Sequence, residues 1–267
     1  MTYKGEKFVD RYEAEQERLR AFEARGGLDG ATYALSPGMA EFSTAALEAA
    51  QLEFAAGLKK LNTHGGNDTD FHNDNGYFDQ TDADVLYMLI RSYKPKHVLE
   101  IGCGQSTRVT RQAIIDGGLD TKLSAIDPYP RKNITHLVDE FTPDVLEAAD
   151  MSVFDQLDAG DILFIDSSHQ VRMANDVAHL FCKIIPALKP GVLIHVHDVF
   201  LPYEYPKRFF YDCPGWGEQY VLHALLQGGG YDILWPGYYL QQMRPDAVKA
   251  LPFLKASRAQ SFWIARK

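Results

Sequence analysis

From residue 98 onward, short unbroken apolar runs alternate with stretches that read as helices. This rhythm constrains the fold more than any other feature. The runs cover 98–101, 123–126, 162–165 and 192–196. Apolar runs without polar alternation suit strands buried on both faces, as in a parallel sheet. Helices are expected between them over 106–115, 134–141 and 171–188, and ahead of them over 81–93, with Pro95 just past the end. Strand–helix–strand order of this kind makes an open, doubly wound α/β sheet. A further helix is expected over 218–226, then two strands, 231–234 and 262–265, forming a closing hairpin.

Composition narrows the partners. The 267 residues are 46% hydrophobic and 24% charged, a globular balance sufficient for one large core. Asp plus Glu number 36 against 27 Lys plus Arg, a net charge of −9. An acidic chain has no general attraction to phosphate backbones or anionic lipid, so neither nucleic acid nor membrane is an expected partner. Cys103, Cys182 and Cys213 form no CxxC pair and no zinc-finger spacing, which argues against a disulfide framework or a cysteine-based metal site. The first residues are charged throughout and lack the apolar core of a signal peptide, so a cytoplasmic protein is expected. Residues 1–62 read as a helical extension divided at Gly26-Gly27, a lid or a homodimer interface, because Leu19, Phe22, Phe42, Leu47, Phe54 and Leu58 must be covered. Residues 63–80 read as a polar lid loop rich in Gly, Asn and Asp, and 81–267 as the sheet domain.

The chemistry-bearing residues fall at strand ends. The first strand and turn read VLEIGCGQST, 98–107. Gly102 and Gly104 permit a sharp turn and close approach of a ligand, while Ser106 and Thr107 sit at the helix start, where free N–H groups favour an anion. The third glycine of a dinucleotide fingerprint is replaced by Thr107, and Glu100 precedes the turn. Asp127 ends the second strand, where an acid can accept both hydroxyls of a ribose. Glu100, Gly102, Gly104 and Asp127 therefore outline an adenosine pocket. The runs ILFIDSSH (162–169) and GVLIHVHD (191–198) end the next two strands. If these strands are neighbours, Asp166, His197 and Asp198 converge on one point suited to a divalent ion such as Mg²⁺, Mn²⁺, Fe²⁺ or Zn²⁺. A set that uses His169 or His195 as well would favour a transition metal. His195, in mid-strand, also fits a hydrogen-bonded core histidine.

These motifs resemble the class I S-adenosylmethionine-dependent methyltransferases, most closely a bacterial small-molecule subgroup with DSSH and HxHD signatures. The resemblance covers about residue 77 to the C-terminus. It implies a Rossmann-like, doubly wound, seven-stranded sheet with its last strand antiparallel, preceded here by the helical extension. It also implies that the Gly102–Gly104 turn holds the methionine part of the cofactor, Ser106 its carboxylate and Asp127 its ribose. Tyr77 is expected beside them. A looser likeness to catechol-type, metal-dependent O-methyltransferases places Asp166, His197 and Asp198 as metal ligands. That family has an acidic residue where His197 stands, so the substitution favours a more azophilic ion. Its general base is usually a lysine, and His169 occupies that position here. The expected reaction is O-methylation of a hydroxylated, flat or apolar small molecule, lined by the aromatic segment 199–216. The rivals are a metal-independent methyltransferase, a nicotinamide-dependent oxidoreductase and a non-catalytic cofactor-binding protein.

Overall fold

The computed structural model describes residues 6–63, 71–130, 134–213 and 215–267, with side chains from residue 14 onward. The expected apolar runs are strands: β1 (His97–Ile101), β2 (Lys122–Ile126), β4 (Ile162–Ile165) and β5 (Leu193–Val196). β4 and β5 are buried at every residue, as continuous apolar runs require. With β3 (Glu140–Thr142), β6 (Tyr231–Pro236) and β7 (Phe262–Arg266) they form a seven-stranded sheet in the order β3-β2-β1-β4-β5-β7-β6. β7 alone runs antiparallel, against β5 on one side and β6 on the other.

The helices are α1 (Glu6–Ala24), α2 (Ala45–Glu53), α3 (Ala55–Thr63), α4 (Gln80–Tyr93), α5 (Gln105–Gly117), α6 (Asp176–His179), α7 (Ile185–Ala187), α8 (Lys207–Asp212), α9 (Glu218–Leu226), α10 (Gly237–Met243) and α11 (Pro245–Ala250). Leu47 of α2, Leu58 and Leu61 of α3, and Phe54 between the two helices belong to the same core as the sheet residues Val98, Leu163 and Ile194. This part of the extension is therefore packed on the α/β body. α1 meets α8, where Phe22 packs on Phe210 and Glu23 pairs with Lys207 at 2.6 Å. No helix among the described residues is long and apolar enough to cross a membrane.

Three expectations are corrected. The segment 134–141 is not a helix: it holds a 3₁₀ turn, Thr135–Leu137, and leads into β3. β3 is three residues long, none of them fully buried, so no apolar run announces it. Pairing with β2 creates it instead, and the Asp139 carboxylate accepts the Leu123 N–H at 2.8 Å beside it. The stretch 171–188 becomes helical only at Asp176, where the Asn175 side chain caps the first turn, and it passes through a π-turn at Leu180–Ile184. Finally, β6 and β7 pair as expected but are no hairpin, because α10 and α11 lie between them.

Candidate active site

Backbone hydrogen bonds level the strand tips along the carboxyl edge of the sheet. Gly102 N–H donates to the Ile126 carbonyl at 3.0 Å, Asp166 N–H to Ile101 at 2.9 Å, and His197 N–H to Ile165 at 2.9 Å. The residues following β1, β2, β4 and β5 thus share one ledge, the usual ligand edge of an open α/β sheet.

The β1–β2 side is shaped by backbone. Gly102 has φ +78°, and a Cβ there would stand 2.1 Å from the Asp166 carbonyl oxygen, so no other residue fits. A Cβ on Gly104 would meet nothing within 4 Å, which leaves an open cradle at the start of α5. Ser106 is buried in the first turn of that helix, and the buried Gln105 Oε1 has no hydrogen-bond partner among the described residues. Asp127 is pinned, with one oxygen accepting the Cys103 N–H at 3.0 Å and the other the Tyr129 N–H at 2.8 Å. Glu100 is fully buried beneath the turn and accepts from the Thr107 and Thr110 hydroxyls at 2.5 and 2.9 Å. Burial pushes its carboxyl up to about 7, only partly offset by those hydroxyls. Its oxygens thus brace α5 from below. Tyr77 is 59% exposed, and its carbonyl faces His197 Nε2 at 3.4 Å.

The β4–β5 side is shaped by charge. His169 Nε2 lies 3.2 Å from Asp166 Oδ1 and 3.5 Å from Asp198 Oδ2. Its Nδ1 meets Glu218 Oε2 at 2.9 Å, and Glu218 also accepts from the Ser167 hydroxyl. Both His169 and Asp198 adopt left-handed backbone, with φ 59° and 55°. Such conformations are costly for residues other than glycine and concentrate at functional sites. Burial opposes a charge on His169, but the hydrogen bonds to Asp166 and Glu218 and the charge of Asp198 outweigh it and raise it well above the ordinary imidazole range. Desolvation likewise works against an Asp166 anion, yet the His169 bond and the His197 charge hold its carboxyl below the usual range, screened in part because 41% of the side chain is exposed.

The structure therefore brings Asp166, His169 and Asp198 together, each offering a ligand atom within 4.8 Å of the others. His197 stands next to this group, its ring 5.3 Å from that of Phe78 and 5.5 Å from that of His195. His195 is stacked on Phe164 at 3.8 Å and bonded to the Ser261 hydroxyl, the placement of a core histidine. One participant was not visible in the sequence. Glu218 opens α9, where an acid reads as an ordinary helix-start residue, yet it is 1% exposed and spent on His169. Trp216, the end of the aromatic segment 199–216, lies 4.4 Å from the His169 ring.

Comparison with known proteins bears on the whole chain. A search of curated proteins gives no match. The solved structures similar to it include the O-methyltransferase TomG from Streptomyces achromogenes (16% identity, 84% of this chain and 90% of that one, TM-score 0.40). An O-methyltransferase from Bacillus cereus is similar at 15% identity, over 85% and 92% of the two chains, with a TM-score of 0.41. The Podospora anserina methyltransferase PaMTH1 is similar at 14% identity, over 100% and 98%, with a TM-score of 0.44. Residues 99–199, from β1 to just past β5, match the family model described as a methyltransferase domain. That stretch, which holds the Gly102–Gly104 turn and the strands that end at Asp127, Asp166 and His197, is what this chain shares with methyltransferase domains.

Proposed function

We propose that the chain transfers the methyl group of S-adenosylmethionine to a hydroxyl oxygen of a small molecule, with His169 as proton acceptor and a divalent ion beside it. The observation that carries this reading is the convergence of Asp166, His169 and Asp198 next to the open turn at Gly104. The methionine carboxylate would take the α5 end at Ser106, and the ribose would take Asp127.

The donor set suits an ion. His169 Nε2 lies 3.2 and 3.5 Å from the two carboxylates, and the three residues each offer a ligand atom within 4.8 Å of the others. Asp198 Oδ1 is buried without a hydrogen-bond partner among the described residues. Asp166 and Asp198 would hold the ion, which supplies Lewis acidity that lowers the pKa of an acceptor hydroxyl. Glu218 accepts the Nδ1 proton of His169. An ion taken up by Asp166 and Asp198 would neutralise the charges that keep a second proton on Nε2, and Nε2 would then face the cleft as the basic nitrogen. The hydroxyl proton would pass to Nε2, with Glu218 stabilising the imidazolium that results. The hydroxyl oxygen would take the methyl group as the carbon–sulfur bond breaks and leaves its electron pair on sulfur. Trp216, against His169, supports a flat acceptor.

A second arrangement is favoured by the same distances: His169 Nε2, in place of His197, becomes the third ligand. Calorimetric titration of S-adenosylhomocysteine into as-purified and chelator-treated protein, with elemental analysis of wild type, Asp166→Ala and His169→Ala, tests both. Cofactor binding with a stoichiometric metal lost in Asp166→Ala is the expected result. Metal retained in His169→Ala supports the base, and metal lost there supports the ligand. No binding in either sample would sink the methyl-transfer reading.

A further inference from the structure

A row of π-systems leads away from the reactive cluster. The Trp216 ring lies 4.4 Å from the His169 ring, and Phe209 stacks on Trp216 at 5.1 Å with only 20° between their planes. The Arg208 guanidinium then lies 5.6 Å from the Phe209 ring centre. The row is fixed from behind. Phe209 packs on the fully buried Phe200 at 5.5 Å, Phe22 of α1 packs on Phe210, and the Tyr211 hydroxyl donates to Glu23. The two cations that open α8 are used differently. Lys207 is spent on Glu23 at 2.6 Å, whereas Arg208 forms no ion pair among the described residues. Its charge acts on Asp198 and on Cys213.

A guanidinium at the far end of an aromatic row, in a chain of net charge −9, is a recognition group for a planar anion. We propose that Arg208 selects the acceptor: a flat, hydroxylated aromatic acid whose hydroxyl lies at His169 and whose carboxylate meets Arg208 across Phe209 and Trp216. This rests on the methyl-transfer reading for the hydroxyl end alone. The carboxylate end follows from the row itself. Bidentate pairing of a planar carboxylate with guanidinium gives direction as well as affinity, so the acid end also sets which ring hydroxyl reaches His169.

The test uses two probes of the same shape, 3,4-dihydroxycinnamate and its neutral amide, titrated calorimetrically into the full chain saturated with S-adenosylhomocysteine. Binding needs no turnover, so this result stands apart from the fate of the methyl-transfer reading. If S-adenosylhomocysteine does not bind, that reading falls, and the same pair titrated into the cofactor-free chain still reads the preference. The acid is expected to bind about two- to fivefold more tightly than the amide, the range for an exposed ion pair. Arg208→Gln should abolish that difference and Arg208→Glu should reverse it, while S-adenosylhomocysteine affinity stays at the wild-type value. Lys207→Gln removes a neighbouring charge and should retain the preference. Equal affinities in the wild type, binding of neither probe, or a preference that survives Arg208→Gln would each overturn the proposal.

Discussion

The two halves of the ledge hold their acids by different means. Where β1 and β2 end, Asp127 is pinned by backbone N–H groups and Glu100 by two hydroxyls, with no cation bonded to either among the described residues. Where β4 and β5 end, Asp166, Asp198 and Glu218 surround one imidazole. The first half is a shape, produced by a glycine whose Cβ has no room and another whose Cβ would point into open space. The second is a charge balance that survives burial only because opposite charges compensate each other. In the proposed function the difference separates the tasks: the rigid turn would seat a cofactor, and the responsive cluster would handle a proton.

His169→Ala presses hardest on that division. It should reduce turnover about 10²- to 10⁴-fold, as loss of a general base does, and leave S-adenosylhomocysteine affinity unchanged by calorimetry. A matching loss of cofactor affinity would mean that the halves are one unit.

Glu100→Gln sharpens the contrast from the other side. The group titrates at 4.5 when unfolded and at about 7 when folded. Below 4.5 it is neutral in both states. Between 4.5 and 7 only the unfolded chain ionises, so stability falls as pH rises through that window and is flat above it. The stability of Glu100→Gln relative to wild type should therefore climb by about 3 kcal/mol from pH 5 to pH 8, read by denaturant melts at the two pH values. A pH-independent difference would show that the hydroxyls alone compensate the buried charge.

Asp127→Ala has the smallest expected effect, about a tenfold loss of cofactor affinity from a missing charged hydrogen bond. Metal content, measured by elemental analysis, should not change. A metal lost with it would place Asp127 in the other half.

What the sequence made legible follows the same line. The turn, its glycines and Asp127 lie between Val98 and Asp127, and local spacing singled them out. β4 and β5 announced themselves by unbroken apolar runs, and their pairing brings the residues that follow them to one ledge. Side-chain direction is a three-dimensional property, so the sequence did not reveal that the nitrogen within 3.5 Å of both Asp166 and Asp198 belongs to His169. Glu218 stayed hidden because nothing local distinguishes an acid that starts a helix from one that holds a histidine. β3 was missed for a related reason: an edge strand is defined by its neighbour's hydrogen bonds more than by its own residues.

The place of β7 has a consequence for how the chain is made. It comes last of the seven strands in chain order, yet it lies between β5 and β6, and its neighbour Ser261 bonds His195. A ribosome-bound chain that has produced β5 and β6 has no strand to put between them, so the outer edge of β5 stays open until residue 266 has emerged. The Gly102–Gly104 turn needs only strands made earlier, while β5, which leads into His197, waits for β7. A growing chain thus completes one half of the ledge before the other.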